Sequence, residues 1–394
     1  MIKASLYIHV PFCKAKCDYC DFFSIPINSN DQALFNNYIN SILFGANKLF
    51  MEGNISNVPT LYIGGGTPSL FNSEDISRLL KDLLEVIKCY SSLPMEITLE
   101  ANPESINEEF LDAIRKAGVT RLSLGVQTFY EPSRIAVNRI GYNKELNNTI
   151  ALASSYFKNA LSIDLISGLP LQSETILMED ISASLFFSPV HVSLYALNVD
   201  AGTALAKNKN IILPGSEESD NLWLIGRDTL LKAGFSQYEV SNFCIKGYES
   251  LHNIRYWRME SWHALGPSAS GTIIPDKDHA FRYTHSPDME IFFKENELFP
   301  NKEYINKTDL IKESLLMGFR YINGPDEDLF YLRFGIKIED IIPKTLNSWD
   351  AYLQKNRIAL TNDGLLFLNP FLVDAFIEIE KTSQDNQIGG GNID

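Results

Sequence analysis

Cysteine is scarce in this 394-residue chain and unevenly spread: three of the five fall between residues 13 and 20, leaving only Cys89 and Cys244 elsewhere. An odd, lopsided set excludes a disulfide framework and gives Cys89 and Cys244 a merely structural reading. Long apolar runs are missing as well. None approaches the roughly 18 to 20 residues that a bilayer span needs, and the opening MIKASLYIHVPFCKAKC has no long apolar stretch before its first cysteines. The chain therefore reads as soluble, unexported and cytoplasmic. Positive charge is in deficit, with 34 Lys and Arg against 49 Asp and Glu for a net −15. That disfavours a nonspecific hold on phosphate backbones and argues against nucleic acid as a partner. What remains is ordinary globular usage, 45% hydrophobic and 21% charged, in a chain long enough for two or three domains at roughly 100 to 200 residues each.

Short apolar runs alternate with helix-periodic stretches through the first half. Strands are expected at Ser5 to Val10, Thr60 to Ile63, Met95 to Glu100, Thr120 to Val126, Leu161 to Ile166 and Val190 to Ala196; helices are expected near 31–52, 73–89, 107–117, 143–158, 173–187 and 217–233. Six β/α units give an α/β fold with a parallel sheet, either doubly wound or curling toward a barrel. In both geometries the chemistry gathers at the C-terminal strand ends. The cysteines, Gly64-Gly65-Gly66-Thr67-Pro68, Glu100-Ala-Asn102-Pro103, Gln127 and Gly168-Leu-Pro170 all fall at such ends. The expected division is a barrel at 1–235, an aromatic-rich extension or cover at 236–304, a small separate α+β, winged-helix-like module at 305–380 and a disordered polar tail at 381–394. Within the module the expectations are helices near 308–319, 326–334 and 346–357, and a hairpin at ALTNDGLLFL turning at Asp363-Gly364.

Cys13, Cys17 and Cys20 are the metal-ligand candidates, at spacings of four and then three in a polar loop. Soft thiolates this close suit zinc or an iron–sulfur cluster. Zinc would want a fourth ligand, for which only Asp18, Asp21 or His9 stand nearby; buried thiols acting as small hydrophobes are the third possibility. Glycines at 64–66 permit close backbone approach or simply a tight turn. Glu100, at the end of an apolar strand, either accepts from hydroxyl or ammonium groups or is a solvated loop charge.

The segments LYIHVPFCKAKCDYCDF, LYIGGGTPSLF, EITLEANPESI, RLSLGVQTF, IDLISGLPLQS and VSLYALNVDAGTAL resemble the radical S-adenosylmethionine superfamily. Within it they resemble the branch holding the oxygen-independent coproporphyrinogen III oxidases and the haem chaperones. ESLLMGFRYINGPDEDLFYLRFG resembles that branch's C-terminal module, so the likeness spans nearly the whole chain. It implies a partial (β/α)6 barrel and a 4Fe-4S cluster on Cys13, Cys17 and Cys20, with one iron open to S-adenosylmethionine. It also implies cofactor contacts from Tyr7, Gly65, Gly66, Thr67, Glu100, Gln127, Arg139 and Asp164.

Two features place the chain within the branch. The oxidases carry a further cysteine two residues after the third ligand, where this chain has Phe22. The segment His252-Asn253-Ile254-Arg255-Tyr256-Trp257 resembles the HNxxYW signature of the haem chaperones. That likeness makes His252, Tyr256 and Trp257 candidates for contact with haem, the imidazole as an iron ligand and the rings as flat apolar faces. The function implied is a haem chaperone that carries haem as cargo to acceptor proteins at the membrane face, with a reductant protein as a second partner and a homodimer allowed. The alternative is an enzyme, coproporphyrinogen III oxidase.

Overall fold

All six expected strands form: β1 (Ser5–Val10), β2 (Thr60–Gly65), β3 (Glu96–Ala101), β4 (Arg121–Gln127), β5 (Leu161–Ser167) and β6 (His191–Ala196). The computed structural model describes residues 2–27, 31–53, 55–139, 141, 143–275 and 279–389. The six strands lie side by side in chain order and are all parallel. Each crossover advances one strand in the same direction, so right-handed connections put every helix on one side. This is the arrangement of a curling partial barrel; a doubly wound sheet would reverse its strand order. The helices outside are α1 (Gln32–Glu52), α2 (Ser73–Tyr90), α3 (Glu108–Lys116), α4 (Glu131–Ala136), α5 (Asn143–Tyr156), α6 (Glu174–Phe186) and α7 (Ser216–Lys232). Asp31, Asn72, Asn107 and Ser173 start four of them, each side chain accepting an amide from the first turn.

The two faces of the sheet differ sharply. Leu6, Ile8, Leu61, Ile63, Leu122, Leu124, Ile163, Leu165, Val192 and Leu194 point outward into one continuous core with the helices. The alternate residues point inward, and they are mostly polar: Ser5, Tyr7 and His9 on β1, Thr60 and Tyr62 on β2, Glu96, Thr98 and Glu100 on β3, Arg121 and Ser123 on β4, Ser162 and Asp164 on β5, and His191 and Ser193 on β6. A barrel interior is normally filled by branched apolar side chains. Here it is built to hold polar matter.

The following segment extends both edges of the sheet. β7 (Ser236–Gln237) and β8 (Asn242–Cys244) run antiparallel beyond β6, while β9 (Trp262–Leu265) pairs parallel with β1 and is followed by β10 (Ser270–Ile273), β11 (Phe281–Thr284) and β12 (Glu303–Tyr304). Between the edges runs α8 (Leu251–Trp257). Its first amides, Leu251 and His252, donate to the Glu96 carboxylate at 3.0 and 2.9 Å, and Arg121 donates to the Tyr248 carbonyl at 3.1 Å. Glu96 and Arg121 start β3 and β4, so α8 closes the N-terminal end of the barrel.

The C-terminal module differs from expectation. α9 (Lys307–Arg320) and α10 (Glu327–Phe334) form, but the third expected helix ends at Ser348 and gives way to a single turn at Asp350–Tyr352. The hairpin is absent: pairing is limited to one bridge, Leu353 with Leu360, and Gly364–Phe367 is a 3-10 turn. Gly364 is required for a different reason, because a Cβ there would meet the Tyr352 carbonyl at 2.5 Å. α11 (Leu368–Gly389) continues through residues 381–389, where a disordered tail was expected. Residues 371–388 contain neither Gly nor Pro, so polarity there does not oppose a helix; residues 390–394 lie outside the described residues. The module's core also takes in Met259, Ile274 and Ala280 from the extension. Among the described residues no helix is long and apolar enough to cross a membrane.

Candidate functional site

The loop after β1 is shaped by its own ends. Phe12–Cys13 pairs with Ile25–Pro26, so the chain leaves and returns at one place, and the Cys20 amide donates to the Cys17 carbonyl at 3.0 Å. Behind the loop, His9 bonds the Phe23 carbonyl at 2.9 Å. The glycine-rich end of β2 grips it from the side, as the Gly66 and Thr67 amides donate to the Val10 and Phe12 carbonyls, both at 2.7 Å. A Cβ on Gly66 would meet both carbonyls and lie 3.1 Å from the Cys13 sulfur. Gly65 has φ +110, and a Cβ on it would collide with the His9 ring. These glycines are needed for close approach.

A chain of contacts then joins two of the cysteines across three strand ends. Thr67 Oγ1 lies 3.5 Å from Cys13 Sγ, Asn102 Nδ2 donates to Thr67 Oγ1 at 3.0 Å, Arg139 donates to Asn102 Oδ1 at 2.8 Å, and Arg139 Nη1 lies 3.6 Å from Cys17 Sγ. Arg139 also donates to the Gly125 carbonyl. Burial pushes the Cys13 and Cys20 thiols up, with the Thr67 hydroxyl working the other way at Cys13. Burial likewise works against the Arg139 charge, but Glu104, 4.0 Å away, together with Tyr19 and Cys17, more than offsets it and keeps the guanidinium charged beside the sulfur.

Next to the cysteines opens a cavity of ≈ 390 Å³ at the C-terminal strand ends. Gly65, Gly66, Thr67, Glu100, Gln127, Arg139 and Asp164 all line it together with Cys13, Cys17 and Cys20, and Phe22 stands at the loop side, 65% exposed. Glu100 accepts from the Tyr62 hydroxyl at 2.6 Å and the Gly65 amide at 2.9 Å, yet burial pushes its carboxyl up to about 7. Asp164 is raised by burial too, and Ser123 donates to both of its oxygens, at 3.2 and 3.0 Å. One end of the cavity is thus soft sulfur and the other is hard oxygen.

Sequence reasoning missed Tyr62 and Ser123, which orient these two carboxylates, and Tyr195, which lines the same cavity. The strict polar–apolar alternation of strands such as RLSLGVQ and HVSLYA would have found them.

Four expected site residues are not brought to the cavity. Tyr7 stands behind it, its hydroxyl 2.9 Å from His9 Nδ1 and its ring 6.1 Å from that of Tyr62. His252 is 1% exposed near the N-terminal end of the barrel, with Nδ1 2.8 Å from Thr60 Oγ1 and Nε2 2.8 Å from the Tyr256 hydroxyl. Burial lowers its pKa to about 3, so it is neutral, and both ring nitrogens are engaged. Tyr256, one turn on, shares its face. Trp257 turns away toward the C-terminal module, under the Arg320 guanidinium at 4.9 Å.

The cavity fits the groups that the sequence suggests. Arg139 Nε is buried without a partner there, the glycines leave main chain bare, and a cationic ligand would meet two carboxylates. Among the described residues no three His, Cys, Asp or Glu side chains converge on a point for a single ion; the ligands of a four-iron cube attach at separate corners and lie farther apart.

Fold and site together define a partial-barrel protein with a three-cysteine centre at its open end, and residues 7–181 match the Radical SAM superfamily. The heme chaperone HemW of Lactococcus lactis is 30% identical over 91% of this chain and 94% of its own length, and that of Escherichia coli is 31% identical over 93% and 97%. Radical S-adenosyl methionine domain-containing protein 1, mitochondrial, of Bos taurus is 32% identical over 81% and 73%. Within the superfamily, the chain belongs to the HemW family. A 4Fe-4S cluster and S-adenosylmethionine are the cofactors that the superfamily implies. The solved structure of Escherichia coli coproporphyrinogen III oxidase (HemN), a radical SAM enzyme, has the same fold, with a TM-score of 0.80 over 95% of this chain and 90% of that one at 20% identity.

Proposed function

We propose that this protein is a haem chaperone, which holds a 4Fe-4S cluster on Cys13, Cys17 and Cys20, binds S-adenosylmethionine in the adjoining cavity and passes haem to acceptor haemoproteins. The observation that carries this reading is identity of about 30% to HemW chaperones along more than nine-tenths of both chains. Phe22 supports it, because an apolar ring stands at the cavity where the oxidases carry a cysteine. The cluster, when bound, supplies electrons, and S-adenosylmethionine a reducible sulfonium. This chain's own residues would orient and enclose: Arg139 would balance charge at Cys17, Gly65 and Gly66 would admit a ligand to the main chain, and Glu100 and Asp164 would accept from its hydroxyl groups. Haem contact at α8 is part of the proposal. With both His252 nitrogens engaged, ligation by this residue requires release of Tyr256 or Thr60.

The test incubates the anaerobically reconstituted protein with haem, and separately with coproporphyrinogen III, S-adenosylmethionine and reductant. A Soret shift on haem addition and unchanged coproporphyrinogen are expected. Repeated turnover of coproporphyrinogen III to protoporphyrinogen would overturn the chaperone reading. A haem spectrum identical in His252→Ala and Trp257→Ala would remove α8 from the haem site while leaving the chaperone reading standing.

A further inference from the structure

Gln127 ends β4 at φ +69, where the β4–β5 register breaks between Gly125 and Gln127. This left-handed conformation is uncommon outside glycine and persists only where the surroundings over-determine it. Two buried charged side chains do so. Arg134 on α4 is 1% exposed, and its Nη1 donates to the carbonyls of Val126 at 2.8 Å and Thr128 at 3.1 Å, the residues flanking Gln127. Asp180 on α6 is 2% exposed and accepts from the Thr128 hydroxyl at 2.6 Å and the Phe129 amide at 2.7 Å. Gln172 donates to the same carboxylate at 3.3 Å while accepting the Gly168 amide at 2.7 Å, so the loops after β4 and β5 share one anchor.

The segment held in this way also carries the cysteine loop. The Val137 carbonyl accepts the Asp18 amide at 3.0 Å, Asn138 donates to the Lys16 carbonyl at 3.2 Å, and the Arg139 amide donates to the Arg134 carbonyl at 2.8 Å. Burying a guanidinium and a carboxylate is costly unless their hydrogen bonds are made. Neither group lines the cavity.

We propose that Arg134 and Asp180 are positioning residues for the cofactor site. They clamp residues 126–129 so that the Gln127 side chain lies over Gly125 before any ligand arrives. The inference rests on the reading that S-adenosylmethionine occupies the strand ends beside Gln127 and Arg139.

The test titrates S-adenosylmethionine into the full, anaerobically reconstituted chain by calorimetry. Arg134→Met and Asp180→Asn should keep wild-type iron and sulfide content and weaken binding about tenfold, the size expected for losing one or two charge-assisted hydrogen bonds. In a Gln127→Ala background the same changes should cost less than about threefold, because partners acting through one residue are not additive. Arg134→Lys, which keeps the charge with a smaller reach, should fall between. If Arg134→Met fails to load a cluster, Arg134→Lys and Asp180→Asn carry the comparison. Unchanged affinity in those two, or a full tenfold effect persisting without the Gln127 side chain, overturns the proposal. Unchanged affinity in Gln127→Ala and Glu100→Ala together overturns the site reading, and the proposal with it.

Discussion

Glu100 shows how a single inner-face residue couples the site to pH. Its carboxyl titrates near 7 in the folded chain, against an ordinary 4.5, because burial outweighs the Tyr62 and Gly65 hydrogen bonds. Between those two values the folded state holds a proton that the unfolded state has released, so stability falls as pH climbs through that window. Melting temperature in the ligand-free protein should therefore drop more steeply from about pH 5 to pH 7.5 in the wild type than in Glu100→Gln; matching slopes would exclude Glu100 as the group responsible. A cationic ligand favours the ionised form, so S-adenosylmethionine affinity should rise through about pH 7 in the wild type and stay flatter in Glu100→Gln. At this scale the sequence singled out Cys13, Cys17, Cys20, Glu100 and Asp164, and the fold brings all five to one cavity. It left His252 ambiguous, because a motif carries residue types but no record of whether the ring nitrogens are already bonded.

At the scale of elements, the six strands and six expected helices of the barrel were legible to within one or two residues, since hydrophobic period and Asn, Asp or Ser caps act locally; α4, six residues long and without a side-chain cap, was not expected. The Asp363-Gly364 turn was misread because its glycine answers to the Tyr352 carbonyl, a contact made by folding that no local pattern records. The cysteine loop behaves as an element of its own, closed by the Phe12–Cys13 and Ile25–Pro26 pair and wedged against Gly65 and Gly66. Replacing Cys13, Cys17 and Cys20 together with Ala should abolish iron and sulfide incorporation on reconstitution; wild-type content in that variant would refute the cluster assignment. Gly65→Ala tests the wedge. At φ +110, with His9 in the way of a Cβ, the substitution should displace His9 from the loop, lower the melting temperature and reduce iron content to less than about half, with backbone strain alone costing about 1–3 kcal/mol. Full cluster loading in Gly65→Ala would show that the loop holds its shape without this contact.

Across the whole molecule, the extension joins the other parts. It lengthens the sheet at both edges, closes the N-terminal end of the barrel with α8, and lends Met259, Ile274 and Ala280 to the C-terminal core. A chain truncated after residue 304 should therefore leave those side chains bare and be recovered aggregated or with a lowered melting temperature; a soluble, fully stable fragment would show that the module is dispensable to the fold. The order of the strands also bears on how the chain is made. From β1 to β6 each strand can pair with its predecessor as soon as it is synthesised, which favours early growth of the sheet. The other side of β1 must wait for β9, since Ser5 pairs with Trp262. At about 5 to 20 residues per second, that delay is roughly 13 to 50 s on the ribosome. Throughout that interval the strand leading into the cysteine loop has one open flank, so the nascent chain would pass through a state in which cluster insertion, edge protection by a chaperone and completion of the sheet compete in time.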